Sequence, residues 1–168
     1  MERIRLRALE PEDLEWLYRV ENDETIWKWG NTNVPYSRYA LKKYIAESSH
    51  DIYADGQLRL AAVMSDGRVV GCADLVNFSP RHLRAEVGIL VFPEHWGKGY
   101  GAALLQLLVE YSRTQLYLHQ LYAVVSARNI RACRTFEKAD FGLSAVLPDW
   151  LREGRGEYAP AKVFCRRL

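Results

Sequence analysis

Two periods of apolar residues divide this chain into strands and helices. Over Ile4–Ala8 apolar positions alternate with arginines, the pattern of a short strand with one wet face. Leu58–Met64, Val69–Phe78 and Ala85–Phe92 are apolar runs with β-branched residues and predict three successive strands. Asp66-Gly67 predicts a two-residue hairpin between the first two, and Asn77–Leu83, with Ser79-Pro80, is the next connection. Leu121–Val125, Phe141–Val146 and Tyr158–Phe164 predict three more strands, the last two separated by Pro148 and the Gly154/Gly156 loop. Helical spacing joins Leu14, Leu17, Tyr18 and Ile26, then Ala40, Leu41, Tyr44 and Ile45, then Leu104, Leu105, Leu108 and Tyr111 within Leu104–Gln115. Asn129–Ala139, with Ala132, Cys133 and Phe136, predicts a last helix. Ser37 suits the N-cap of the second helix. Glu10-Pro11-Glu12-Asp13 suits the start of the first, either as a solvated acidic turn or as a rim that attracts a cationic amine. Trp27, Trp29 and Tyr36, among Gly30-Asn31-Thr32-Asn33 and Pro35, read as a loop whose aromatics cap the core or wall a cleft. The order is that of one mixed α+β domain over residues 1–168, without repeats or linkers.

The most informative stretch is Pro93–Ala103, Pro-Glu-His-Trp-Gly-Lys-Gly-Tyr-Gly-Ala-Ala, which stands between a buried strand and an amphipathic helix. Gly97, Gly99 and Gly101 on alternate positions keep side chains away from a ligand, and the helix start adds unpaired N–H groups and the positive end of its dipole. Together these suit a phosphate or pyrophosphate. No Lys-Ser/Thr pair follows Gly99, so a nucleoside-triphosphate loop is excluded, and G-x-G-x-G in mid-chain is not the dinucleotide fingerprint.

Composition narrows the classes further. A net charge of +2, with no long basic run, argues against nucleic-acid binding. No apolar stretch approaches the roughly 20 residues of a membrane span, and Met-Glu-Arg-Ile-Arg-Leu-Arg at the start has no signal-peptide core. Cys72, Cys133 and Cys165 are odd in number and set among apolar residues, as reduced thiols of a cytoplasmic protein would be. They form no metal-ligand spacing with His50, His82, His95 or His119, so no metal is expected.

Trp96-Gly97-Lys98-Gly99-Tyr100-Gly101 resembles the acyl-CoA loop of the GNAT acetyltransferase superfamily, commonly [Gln/Arg]-x-x-Gly-x-[Gly/Ala], with Trp96 where the family has Gln or Arg. Val70-Gly71, Ala85-Glu86-Val87-Gly88, Pro93-Glu94-His95 and Leu118-His119-Gln120-Leu121-Tyr122 resemble the branch of spermidine/spermine and ribosomal-protein N-terminal acetyltransferases. Arg5-Leu6-Arg7 and Glu21-Asn22-Asp23 extend the likeness to the N-terminal segment. Asn129-x-x-Ala132-x-x-x-Phe136-Glu137-Lys138-x-Asp140-Phe141 matches the family helix, with Phe136 at its usual Tyr and Asp140 at its usual Gly. The resemblance implies a mostly antiparallel sheet of six to seven strands with about four helices on both faces, acetyl-CoA as co-substrate, and a small amine acceptor. It implies neither nucleic-acid nor membrane partners, and it allows a homo-oligomer. The pyrophosphate would lie on Gly97, Lys98, Gly99, Tyr100, Gly101 and Ala102, the thioester carbonyl on an N–H of Ile89 or Leu90, and the pantetheine beside Asn129 and Phe136.

Family chemistry is direct attack of a neutral amine on the thioester. Holding a lysine-like amine neutral at pH 7 costs roughly 4.6 kcal/mol, so the site needs a proton exit. Glu86 is the first choice and Asp74 the second; ordinary ion pairing, of Glu86 with Arg81 or Arg84, is the alternative for each. A phenyl ring donates no proton, which leaves Cys133, Ser126, water or nothing as the acid. No G-x-S-x-G elbow exists, His95 and His119 suit packing, and nothing near Cys133 in sequence activates it as a nucleophile. The acceptor expected is a polyamine such as spermidine. However, Asn31-Thr32-Asn33-Val34 stands before Pro35-Tyr36 where the spermidine enzymes carry paired acids, which weakens the case for an allosteric polyamine site. The alternatives are a protein N-terminal acetylase and a catalytically feeble acyl-CoA sensor.

Overall fold

The computed structural model describes residues 2–27, 29–30 and 32–168. Met1 and Asn31, named above, lie outside the described residues. The elements follow the apolar periods: β1 (Ile4–Ala8), α1 (Leu14–Glu21), α2 (Glu24–Trp27), α3 (Arg38–Glu47), α4 (Ile52–Asp55), β2 (Leu58–Met64), β3 (Val69–Ser79), β4 (Arg84–Val91), α5 (Tyr100–Thr114), β5 (Gln120–Ser126), α6 (Ile130–Lys138), β6 (Gly142–Gly154) and β7 (Glu157–Arg167). Seven strands form one sheet in the order β1-β2-β3-β4-β5-β7-β6, antiparallel throughout except where β4 meets β5.

Strand alternation gives the sheet two apolar faces, and helices cover both. On one face α5 and α6 pack over Leu60, Leu75, Val87, Leu121 and Phe164. On the other α1 and α3 pack over Ala61, Val63 and Leu90. Ser37 caps α3, its Oγ accepting from the Ala40 N–H at 3.1 Å.

Three local expectations need correction. The turn at Asp66-Gly67 is a three-residue loop, because Met64 pairs with Arg68 (N···O 2.9 Å) and Gly67 takes φ 88°. Pro148 does not end its strand: β6 runs through it to Gly154, tolerable because β6 is an edge, with a register shift between Leu147 and Leu151. Part of the aromatic loop is helical, since Asp23 accepts from the N–H groups of Thr25, Ile26 and Trp27 and so starts the single turn α2.

Of the N-terminal acids Glu10 and Glu12 are exposed, as a solvated helix start expects, and Asp13 departs from it. Pro11–Asp13 forms a 3-10 turn, and Asp13 is 2% exposed. Its carboxylate accepts from Arg7 at 2.6 and 2.9 Å, from the Trp16 indole at 2.7 Å and from the Glu10 N–H at 2.8 Å. Burial pushes its pKa up, but these four donors outweigh it and hold it below the usual carboxylate range. Asp13→Asn is therefore expected to destabilise the fold by about 2 kcal/mol at pH 7, below the 3–5 kcal/mol of a fully buried pair because Arg7 keeps access to water. The contribution is complete above the unfolded carboxyl value near 3.9 and is lost as pH falls through the lower folded value. Urea unfolding at pH 7 and pH 3 checks this: the gap between wild type and variant should be smaller at pH 3 than at pH 7.

Candidate active site

The parallel pair β4/β5 is joined only at Arg84↔Gln120, Ala85↔Leu121 and Glu86↔Tyr122. Beyond these, β4 continues to Val91 and β5 to Ser126 with no pairing between them, so the two strands splay into a cleft. An unpaired strand edge is a row of N–H and C=O groups open to an extended ligand.

Alternation decides which groups of β4 face that cleft. The Phe92 N–H donates to Val70 O at 2.9 Å, toward β3. The Leu90 carbonyl also points to β3, where a Cβ added at Gly71 would lie 2.0 Å from it; no other residue fits at Gly71. The Val91 carbonyl points the other way, accepting from the Trp96 indole at 2.7 Å. Ile89, two residues before Val91, therefore presents its N–H to the cleft, whereas the backbone groups of Leu90 belong to the sheet.

At the end of the cleft lies the glycine loop. Gly97 and Gly99 have φ of 75° and 85°, and a Cβ at Gly97 would meet nothing within 4 Å. Gly99 is the N-cap of α5 and has no side chain to cap it; the first bond within the helix is Ala103 N–H to Gly99 O at 3.2 Å. The N–H groups of Tyr100, Gly101 and Ala102 are left without helical partners at the positive end of a 15-residue helix. The loop thus fits an anion. Gly101 serves a different need: its missing Cβ would sit 3.1 Å from Thr135 Cγ2, so it lets α5 approach α6. The Tyr100 ring is buried in the core, edge-on to His95 at 5.7 Å between centroids. Lys98 donates to Glu94 O at 2.8 Å and so folds back on its own loop.

On the sheet face below α1, register aligns Arg59, Asp74 and Gly88 across β2, β3 and β4. Arg59 forks onto Asp74 at 2.6 and 3.1 Å and also donates to Glu21 at the end of α1. Burial works against the Arg59 charge, but Asp74 and Glu21 outweigh it and hold the guanidinium protonated. Asp74 lies against Gly88, its Oδ2 3.6 Å from where a Cβ would stand. Glu86, two residues earlier on β4, is half-buried and accepts from Asn77 Nδ2 at 2.7 Å. Among the described residues no cation pairs with it, so neither Arg81 nor Arg84 takes the part considered for them. Burial, and then the Glu86 carboxylate beside it, raises the pKa of Tyr122.

The model of the acetyltransferase (GNAT) domain matches residues 3–142. The chain is 30% identical over 145 residues to spermidine N(1)-acetyltransferase of Escherichia coli K12, covering 86% of this chain and 75% of that one. It belongs to the GNAT acetyltransferase family. Among solved structures, spermidine N-acetyltransferase from Vibrio cholerae in complex with CoA and spermine superposes with a TM-score of 0.87 at 26% identity, covering 98% and 95% of the two chains. A dodecameric structure of that enzyme gives 0.80 at 26% identity, covering 98% and 93%. As a GNAT enzyme the chain is an N-acetyltransferase that uses acetyl-CoA. The open β4 edge and the glycine loop are the features of this chain that fit that co-substrate.

Two sequence-predicted site residues are engaged by other side chains of the fold. Phe136 is 3% exposed, stacked on Phe164 and edge-on to Phe141, because α6 turns that position into the core. Asp74 is committed to Arg59 rather than free to take a proton. Asn129 is the N-cap of α6, its Oδ1 accepting from Ala132 N–H at 3.1 Å. Asp140, where the family has Gly, takes φ 60° after α6, a conformation Asp tolerates. The acids considered in place of the family Tyr are already engaged: Ser126 donates to Glu153 at 3.1 Å, and the Cys133 thiol faces Ser126 O at 3.7 Å. Burial raises the pKa of Cys133, so no thiolate is stabilised there. Cys133→Ala is expected to keep wild-type turnover, with no acetylated thiol in mass spectra of quenched enzyme. An acetyl group found on Cys133 would contradict direct attack.

Sequence reasoning missed Arg59 as the partner of Asp74 and Glu21 as its second acceptor, Asn77 as the partner of Glu86, and Arg131 on α6. Only Glu21 carried a signal, the Glu21-Asn22-Asp23 motif. Glu21 meets Arg59, Asp23 starts α2, and Asn22 holds both backbone groups of Tyr36 at 2.8 and 3.1 Å.

Proposed function

We propose that this enzyme acetylates a primary amine of a small polycation, spermidine being the model, by direct attack on acetyl-CoA. Acetyl-CoA supplies an activated thioester; the rest is the work of the chain. The N–H of Ile89 polarises the carbonyl, the loop from Gly97 to Ala102 holds the pyrophosphate by its backbone, and the Asn129 amide meets the pantetheine arm. Glu86 accepts the proton of the incoming ammonium, directly or through water, and Tyr122 stays protonated beside it.

One observation carries the acceptor class: Glu21, Asp74 and Glu86 share the sheet face beside Ile89, with the Arg59 guanidinium as the cation among them. The surplus of negative charge draws a polyamine to the face from which the thioester is attacked. Kinship with the spermidine enzymes of E. coli and V. cholerae supports the same class. Three cysteines free of disulfides suit the reducing cytoplasm, and no helix among the described residues is long and apolar enough to cross a membrane. The dodecameric relative supports a homo-oligomer, for which the exposed Leu143, Val146 and Trp150 of the edge strand β6 offer a surface.

Acceptor selectivity tests the reading. With acetyl-CoA saturating, kcat/KM should be highest for spermidine, lower for butylamine and for a peptide with a free α-amine, and should fall with salt for spermidine alone. Preference for the peptide would make the chain a protein N-terminal acetylase instead.

A further inference from the structure

Opposite the glycine loop, at the mouth of the cleft, the first turn of α6 carries Arg131. Its Cζ lies 3.6 Å from the centroid of the Trp96 ring, over the ring face. Trp96 is itself fixed by its indole bond to the Val91 carbonyl. The stack thus joins the loop that follows β4 to the helix that follows β5, bridging the two strands where they have parted. Three features of Arg131 fit an anion. A cation–π contact uses the face of the guanidinium and leaves its in-plane N–H donors outward. Among the described residues no acceptor on this chain takes those donors. And the first turn of α6 has no acidic residue, so Arg131 adds its charge to the positive end of the helix, an unfavourable arrangement until an anion sits there.

The same stack gives a physical sense to the departure at Trp96. Where the family pattern places a polar Gln or Arg, this chain places an indole, and the indole is a shelf that holds a cation from another element. We propose that Arg131, shelved on Trp96, binds the pyrophosphate of acetyl-CoA and closes the mouth of the cleft over it. The inference rests on the acetyl-CoA reading of the loop. Planar in-plane donors match phosphate oxygens, and the charge-assisted contact is worth about tenfold in affinity.

The test measures binding to the purified enzyme, by calorimetry for CoA and dephospho-CoA and by competition for pantetheine. Arg131→Ala should weaken CoA and dephospho-CoA alike by about tenfold and leave pantetheine, which lacks the pyrophosphate, unchanged. Trp96→Ala should weaken CoA similarly, and the double variant should be no worse than either single one, because shelf and cation act as a unit. Equal weakening of all three ligands would make Arg131 merely structural and overturn the proposal. Loss confined to CoA would assign Arg131 to the 3′-phosphate and overturn the pyrophosphate contact. Wild-type affinity in Arg131→Ala would overturn it outright while leaving the acetyl-CoA reading intact. If wild-type enzyme bound no CoA, both would fall.

Discussion

Glu86→Gln is expected to lower kcat/KM for spermidine by about a hundredfold at pH 7, the lower end of what a positioned general base contributes. The substitution keeps the shape of the side chain and its contact with Asn77 Nδ2, since an amide oxygen accepts as a carboxylate does. What it removes is the capacity to take the proton of an ammonium group. At pH 7 an amine of pKa near 10.4 is almost wholly protonated, so the wild-type rate depends on that transfer. At pH above 10 the free amine dominates and the gap between variant and wild type should narrow. CoA affinity should not change, because Glu86 lies at the closed end of the splay, away from the glycine loop. A variant within threefold of wild type at pH 7, roughly 0.6 kcal/mol, would remove Glu86 from the proton path. A gap that persists undiminished at high pH would make it a binding group instead.

The second large effect concerns stability. Arg59→Met leaves Glu21 and Asp74, 17% and 19% exposed, without the cation that separates them. Breaking a buried ion pair by removing one partner destabilises by about 3–5 kcal/mol. In a domain of this size that lowers the melting temperature by roughly 10 °C. Thermal melts of wild type and variant at pH 7 should show that gap. A variant as stable as wild type at pH 7 would mean that water, not Arg59, compensates these acids.

The sequence allows Asp74 an ion pair but does not show that Arg59 is the partner, and the reason lies in one β-bulge. At Val63↔Val69 the β2/β3 hairpin keeps the register set by its turn, which carried on down the strands would place Arg59 opposite Ala73. A shift between Ala62 and Val63 moves the pairing by one residue and sets Arg59 opposite Asp74. Because side chains alternate between faces, that single step decides whether a charge meets its partner, and no local pattern announces it. The strands themselves, the glycine loop and the N-caps Ser37 and Asn129 were readable because apolar period, turn chemistry and capping are local. Trp96 and Arg131 meet only because β4 and β5 run parallel and part, a tertiary fact. Its place in a motif suits Phe136 to the cofactor site, and its contacts with Phe141 and Phe164 across α6 and the sheet are tertiary facts that no local pattern announces.

The central claim is that the cleft between β4 and β5 carries acetyl transfer to a polyamine amine. It is tested most directly by thiol release from acetyl-CoA on addition of spermidine to purified enzyme, with the product identified by mass spectrometry. The account predicts steady turnover, one thiol released for each mono-acetylated spermidine formed, lowered about a hundredfold in Glu86→Gln at pH 7. Tight CoA binding with thiol release no faster than spontaneous hydrolysis, for spermidine and for peptide α-amines alike, would contradict it and leave an acyl-CoA-binding domain.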